Sequence, residues 1–177
     1  MKLIHKKLPD RILRKLPPGI KRMKKHGQDF LVIQKLFCPY GHNLMVDSVK
    51  IHGEPSIRIQ MKVGKSEGLV FVDAFWGGHA KLYNFIPDIR SAGYTKVSCP
   101  VCHTDMVIAD TCPHKGCRSD RSIIFYLPGK KNRIFVCARL GCPGHRIDIA
   151  SLPHEVSEEV SGINFIDAAE EDLLLEL

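Results

Sequence analysis

Seven cysteines and one nearby histidine are the residues of this chain whose types and spacing could do chemistry. They fall into four short knuckles: Cys38-Pro-Tyr-Gly-His42, Cys99-Pro-Val-Cys102, Cys112-Pro-His-Lys-Gly-Cys117 and Cys137-Ala-Arg-Leu-Gly-Cys142. Within the two-cysteine knuckles the sulfurs are close along the chain, and Pro or Gly lets the backbone turn so that its amides point at them. Short, repeated pairs in a chain with no secretory character read as metal knuckles rather than a disulfide framework. Zinc prefers four such ligands in a tetrahedron, so two knuckles make one site. Pairing like with like assigns Cys38, His42, Cys99 and Cys102 to one ion, and Cys112, Cys117, Cys137 and Cys142 to another. All seven cysteines and His42 are then used. The expected cofactor is Zn2+, two per chain.

Two internal similarities motivate that pairing. Cys38-Pro-Tyr-Gly-His-Asn-Leu-Met-Val46 follows Cys99-Pro-Val-Cys-His-Thr-Asp-Met-Val107, and Cys112-x-x-x-Gly-Cys117 follows Cys137-x-x-x-Gly-Cys142. The first match sets His42 opposite His103 and Gly41 opposite Cys102, so His42 is a ligand by spacing and need. His52, His79, His103, His114 and His145 stand as substitutes. A second pairing also fits the spacing, with Cys99, Cys102, Cys112 and Cys117 on one ion and Cys38, His42, Cys137 and Cys142 on the other. Iron is the rival metal, because four thiolates also hold a single iron or a cluster. Cys99-x-x-Cys102 alone resembles a redox pair, but it has a partner knuckle and no thioredoxin-like helical context. Both sites are filled by protein, whereas a catalytic zinc keeps a position open for water, so the metals are expected to be structural.

At the level of these knuckles, over residues 36–46 and 97–145, the sequence resembles zinc-ribbon proteins, in which Cys-Pro-x-Cys turns cap β-hairpins. The resemblance implies metal binding and leaves the job open. The four-residue gap between the cysteines of the third and fourth knuckles departs from the two-residue ribbon spacing.

The elements that must position these ligands are mostly strands. Leu44 to Ile51, Ile57 to Val63 and Leu69 to Trp76 carry β-branched and alternating residues, with a turn at Gly64-Lys-Ser-Glu-Gly68, so a hairpin or meander is expected between the first two knuckles. Ser122 to Leu127 and Arg133 to Val136 flank Pro128-Gly-Lys-Lys-Asn132 and predict a second hairpin. Asp10 to Leu16 can form two helical turns that Pro17 ends. A short helix is expected near Asp88, and the chain turns helical after Ile149, with Ser151 as cap, Gly162 as stop and Phe165 to Leu177 as a final amphipathic segment. The expected fold is α+β and β-rich: hairpins capped by zinc knuckles, with short terminal helices. The expected divisions are a basic arm (1–29), a β-rich domain with the first site (30–110), a ribbon-like hairpin with the second (111–150) and an acidic helical tail (151–177).

The 177 residues carry 44% hydrophobic content, enough for a core, and contain no run of 18 apolar residues. With no apolar signal stretch at the start, a soluble, cytoplasmic chain with no membrane partner is expected. Net charge is +7, yet residues 1–25 hold +9 and residues 155–177 hold −8. Such asymmetry marks an interaction arm and an acidic tail, or plain solvated charge. The leading expectation is a macromolecular binding module, with nucleic acid met by Lys6, Lys7, Arg11, Arg14, Lys15, Lys21, Arg22, Lys24 and Lys25 of the arm and by Lys130, Lys131 and Arg133 at the second hairpin's tip. Few aromatics interleave with these cations, which weighs against single-strand stacking. The alternative is an accessory subunit of an enzyme or larger assembly, meeting a protein partner through the basic arm or the acidic, leucine-rich tail. Catalysis is the weakest reading: Gly77-Gly78 would let a ligand approach the backbone near Asp73, Trp76 and His79, but the sequence has no Gly-rich phosphate loop, nucleophile elbow or His-Glu-x-x-His helix.

Overall fold

The computed structural model describes residues 10–25, 27–88 and 95–161. Lys6, Lys7, Gly162 and the segment from Phe165 to Leu177 lie outside them, as does the side chain of Arg11. The described residues form three small antiparallel sheets and two short helices. Helix α1 (Asp10–Leu13) makes one turn, half of the expected length, before Pro17. Strands β1 (Ile20–Lys25) and β2 (Gln28–Ile33) pair in register from Ile20↔Ile33 to Lys25↔Gln28, with Gly27 at φ 79° in the turn. Lys21 to Lys25 of the expected arm are therefore part of a strand, and Ile20 is buried beneath it. That hairpin crosses the expected division at residue 29.

The meander expected between the first two knuckles is a five-stranded sheet. It contains β3 (Met45–Ile51), β4 (Glu54–Val63), β5 (Ser66–Val72) and β6 (Lys81–Tyr83) in sequence order, with β7 (Lys96–Ser98) paired to the far half of β4. The β4–β5 turn is tighter than expected, since Val63 pairs with Ser66 and leaves only Gly64-Lys65 outside the ladder. The β3–β4 turn is His52-Gly53, with φ of 53° and 84°, the two left-handed residues a two-residue hairpin needs. Residues 84–88 are not helical, and the rest of that stretch lies outside the described residues.

The third sheet runs β11 (His145–Asp148), β10 (Arg133–Cys137), β9 (Arg121–Tyr126), β8 (Val107–Ala109). Its β9–β10 pair is the second expected hairpin. Strand β8 comes from the stretch expected to belong with the first site, yet it pairs with β9. Helix α2 (His154–Ser161) starts three residues after Ser151, and the amides of Val156 and Ser157 bond to Pro153 O, so Ser151 is not its cap. Val156 and Val160 bury its inner face, while Glu155, Glu158 and Glu159 are exposed.

One packed cluster of apolar side chains joins these elements. It takes Ile12 from α1, Leu31 from β2, Ile59 and Met61 from β4, Ile123 and Phe125 from β9, Ile134 from β10 and Val160 from α2, along with the sulfurs of Cys38 and Cys99.

Candidate metal centres

The antiparallel sheet of β8 to β11 explains why distant cysteines meet. Loops β8–β9 and β10–β11 leave the same end of the sheet, because Ala109 pairs with Arg121 and Cys137 with Ser122. These loops are the third and fourth knuckles. At the opposite end lie the β9–β10 turn, the start of β8 just after the second knuckle, and Phe37, which exchanges backbone bonds of 2.8 and 2.9 Å with Tyr126. Phe37 delivers Cys38. The sheet thus carries one cysteine cluster at each end.

Cys38, His42, Cys99 and Cys102 come together at one end and Cys112, Cys117, Cys137 and Cys142 at the other, the ligand atoms of each set lying within 4.8 Å of one another. Of the two pairings the spacing allowed, the fold brings together the like-with-like sets. Zn–S bonds of about 2.3 Å in a tetrahedron put neighbouring sulfurs about 3.8 Å apart. The measured separations are 3.9 Å for Cys38–Cys102, 3.7 Å for Cys112–Cys142 and 3.8 Å for Cys117–Cys137. An S–N edge comes to about 3.6 Å, and Cys38 Sγ lies 3.4 Å from His42 Nδ1. Both sets therefore fit a single four-coordinate ion, and two buried cysteines face two half-buried ligands in each.

Backbone amides surround the sulfurs. Val101 N donates to Cys99 Sγ, His114 N to Cys112, Arg139 N to Cys137 and Gly144 N to Cys142, each at 3.4 Å. All four use the amide two residues on, and in the first knuckle His42 N reaches Cys38 Sγ at 3.4 Å. At Cys99, Cys112 and Cys142 these amides favour the thiolate. The Thr104 hydroxyl, followed by its amide, pulls Cys102 down to about 6, and the Ser119 amide pulls Cys117 down to about 7. Burial pushes Cys99, Cys112 and Cys142 up. Three sulfurs in the first cluster and four in the second lie close enough that ionised neighbours would repel one another, and a cation among them removes that repulsion. Gly144 is part of the cradle: a Cβ there would collide with Cys112 Sγ.

The two internal repeats hold at the level of hydrogen bonds, with one correction. In the third and fourth knuckles Gly116 and Gly141 take φ of 85° and 79° just before the second cysteine, whose amide bonds to the residue three back, His114 O at 3.0 Å and Arg139 O at 3.1 Å. In the first pair, Cys38 N bonds to His42 O and Cys99 N to Thr104 O. The left-handed residues are Gly41 (φ 90°) and His103 (φ 57°). The second knuckle is one residue longer, so His42 stands opposite Thr104 and Gly41 opposite His103, not His42 opposite His103 as the ungapped match set them. His103 is exposed and is not among the eight clustered ligands. His52, His79, His114 and His145 also lie outside both sets. Thr104 takes the place of the fourth donor and turns its hydroxyl to Cys102 Sγ at 3.4 Å. Sequence reasoning missed it because a gap had to be opened after the second ligand.

The region around Asp73 is held together internally. Asp73 Oδ2 lies 2.8 Å from His52 Nδ1, with side chains 0% and 4% exposed, and Oδ1 accepts from Phe75 N at 3.0 Å. Trp76 Nε1 donates to Val160 O at 3.1 Å, and its ring meets His145 edge-on at 4.7 Å. Burial, then His145 and Lys81, lower the His79 imidazole from its usual value. Asp73, Trp76, His79 and His145 line a cavity of about 100 Å3 together with core side chains such as Ile59, Met61 and Ile134 and with residues of the fourth knuckle. Gly78 is needed because a Cβ there would strike the Asp73 carboxylate, so the glycine pair serves the fold.

The expected cations are dispersed. Arg14, Lys15 and Lys24 are exposed. Lys21 pairs with Glu54 at 2.9 Å, and Arg22 makes a two-bond fork on Asp29 at 2.7 Å. Lys25 lies 5.4 Å from the Phe75 ring centroid. On the hairpin tip Lys131 is exposed, Arg133 reaches Asp148 at 3.4 Å, and Lys130 donates to Pro39 O at 2.8 Å. Two cations not singled out from sequence, Lys115 and Arg139, flank with His114 an open groove of about 400 Å3 over the second cluster, with no carboxylate in its lining.

No protein-family model, curated protein or solved structure matches this chain. Among the described residues no helix is long and apolar enough to cross a membrane.

Proposed function

We propose that this protein is a nucleic-acid-binding module built on two structural zinc ions, each held by one four-donor cluster in the manner of a zinc-ribbon knuckle pair. Every coordination position is supplied by protein, so the metals act as scaffold rather than as catalysts. Thiolate sites of this kind persist in a reducing compartment, which suits the cytoplasm. The observation that carries the nucleic-acid reading is the bond from Lys130 Nζ to Pro39 O, which fastens the cation-rich β9–β10 tip onto the first zinc knuckle. One cation of the tip is thereby fixed beside the first cluster, and the groove flanked by Lys115 and Arg139 places two more cations at the second.

The test is binding of labelled nucleic acid across a salt series by fluorescence anisotropy. The double variant Lys130→Gln, Lys131→Gln should weaken binding at low salt and flatten the dependence of log K on log salt, since each lost phosphate contact releases fewer counterions. An intact protein that binds no nucleic acid at low salt would end this reading.

A second reading, an accessory subunit docking on a protein partner, draws on Leu82 and Ile86. They are 50% and 88% exposed, Leu82 in β6, which is the edge strand of the five-stranded sheet among the described residues, and Ile86 just beyond it. A stable partner captured by the intact chain and lost with Leu82→Lys would favour it.

A further inference from the structure

Among the described residues four large hydrophobic side chains are exposed, and two of them occupy the same place in the paired knuckles of the first cluster. Tyr40 and Val101 each follow the Cys-Pro of their knuckle, and they are 71% and 51% exposed. Their backbones are not loose. Gly41 N bonds to Cys38 O at 2.9 Å on one side of Tyr40, and Val101 N itself donates to Cys99 Sγ. The knuckles close on one another through Cys38 and Cys102. The turn holds the Tyr40 ring outward, 71% exposed, where an aromatic face can meet a ligand.

The surroundings of Tyr40 are cationic. Lys130, ninety residues further on, approaches the knuckle closely enough that its Cε is 3.9 Å from where a Gly41 Cβ would stand, and its ammonium is pinned on Pro39 O. Lys130 adopts φ 58° to do so. Lys131 beside it is exposed. An exposed ring with one cation fixed on its knuckle and a second exposed next to that one in the chain suits an unstacked base on the ring and its phosphates near the ammonium groups.

We infer that the Tyr40 knuckle, with Val101 and the Lys130-Lys131 tip, is a stacking platform for single-stranded nucleic acid. This rests on the nucleic-acid reading above and narrows it, because a base paired within a duplex has no free face to offer the ring. The sparse aromatics in the sequence weigh against stacking, but Lys130 reaches the knuckle of Tyr40 only in the folded chain.

Binding of a short labelled oligothymidylate, and of a mixed-sequence duplex of equal length, tests this with the zinc-loaded full chain. Zinc content is measured for every variant to show that the knuckle still forms. The single strand should bind about ten-fold more tightly than the duplex. Tyr40→Ala should weaken single-strand binding about ten-fold with an unchanged salt slope, and Tyr40→Phe should retain it, because stacking uses the ring and not the hydroxyl. Lys131→Gln should instead lower the salt slope by about 0.7. If Tyr40→Ala binds the single strand as the intact chain does, or if the duplex is preferred, the platform is refuted while the nucleic-acid reading stands. If the intact chain binds neither probe, both fall.

Discussion

Thr104 shows how a single residue can support a donor cluster of which it is not a member. Its amide and hydroxyl both act on Cys102, the half-buried sulfur of the first cluster, and they are the leading causes that bring that thiol to about 6. Groups that support a ligand from outside the coordination sphere are worth about ten-fold or more in metal affinity. Thr104→Val keeps the shape and removes the hydroxyl, so a competitive chelator titration should find the first ion held about ten-fold more weakly and the second unchanged. The neighbouring histidines should separate cleanly in the same assay. His42→Ala should lose the first ion, because Nδ1 completes its donor set, and His103→Ala should retain both, because a left-handed turn residue is all that position supplies. Loss of an ion from the His103 variant with retention in the His42 variant would reverse the ligand assignment.

At the scale of elements, the knuckles were legible because their chemistry is local: two donors and a turn fit within six residues, and the fold needed only to bring such pieces together. The β9–β10 hairpin and the β3–β5 meander were legible for the same reason, as runs of β-branched residues punctuated by Gly. The β1–β2 hairpin was not. Its first strand, Ile-Lys-Arg-Met-Lys-Lys, reads as a charged arm, and it becomes a strand through Ile20 in the core and partners such as Glu54 and Asp29. The role of Asp73 was equally hidden, since its partner His52 lies twenty-one residues back, in the β3–β4 turn. That pair ties the turn to the segment after β5 without exposure to water. Removing Asp73 takes the acceptor away from the His52 ring and the Phe75 amide, and a buried polar group that loses its partner costs about 1–3 kcal/mol. Asp73→Ala should lose about that much stability in urea unfolding while keeping two zinc ions per chain. A loss under 1 kcal/mol would show that the pair carries no structural weight and would reopen a catalytic role for Asp73.

For the whole molecule, the two candidate metal centres are joined by the sheet whose ends they occupy and by a core that runs from Ile12 to Val160. The expected divisions at residues 29 and 110 fall within a hairpin and between two paired strands, respectively, so losing one metal should not stay local. Metal binding in small zinc modules supplies folding free energy of order 10 kcal/mol, comparable with the roughly 5–15 kcal/mol that holds a typical domain folded. Removing the second ion therefore takes away about as much as the chain has to spare. Ile123, Phe125 and Ile134 of β9 and β10 pack in the same cluster as Ile59 and Met61 of β4, so disordering the hairpin exposes the face of the five-stranded sheet. Hydrogen exchange on Cys112→Ser should accordingly show protection lost in β4 as well as in β9 and β10, and thermal unfolding of the intact protein should be a single transition abolished by a strong chelator. Loss of protection confined to residues 110–148, with β4 still protected and the first ion still bound, would instead mean that the second centre and its hairpin fold as a separate unit, and that the shared apolar cluster contributes little to holding the two halves together.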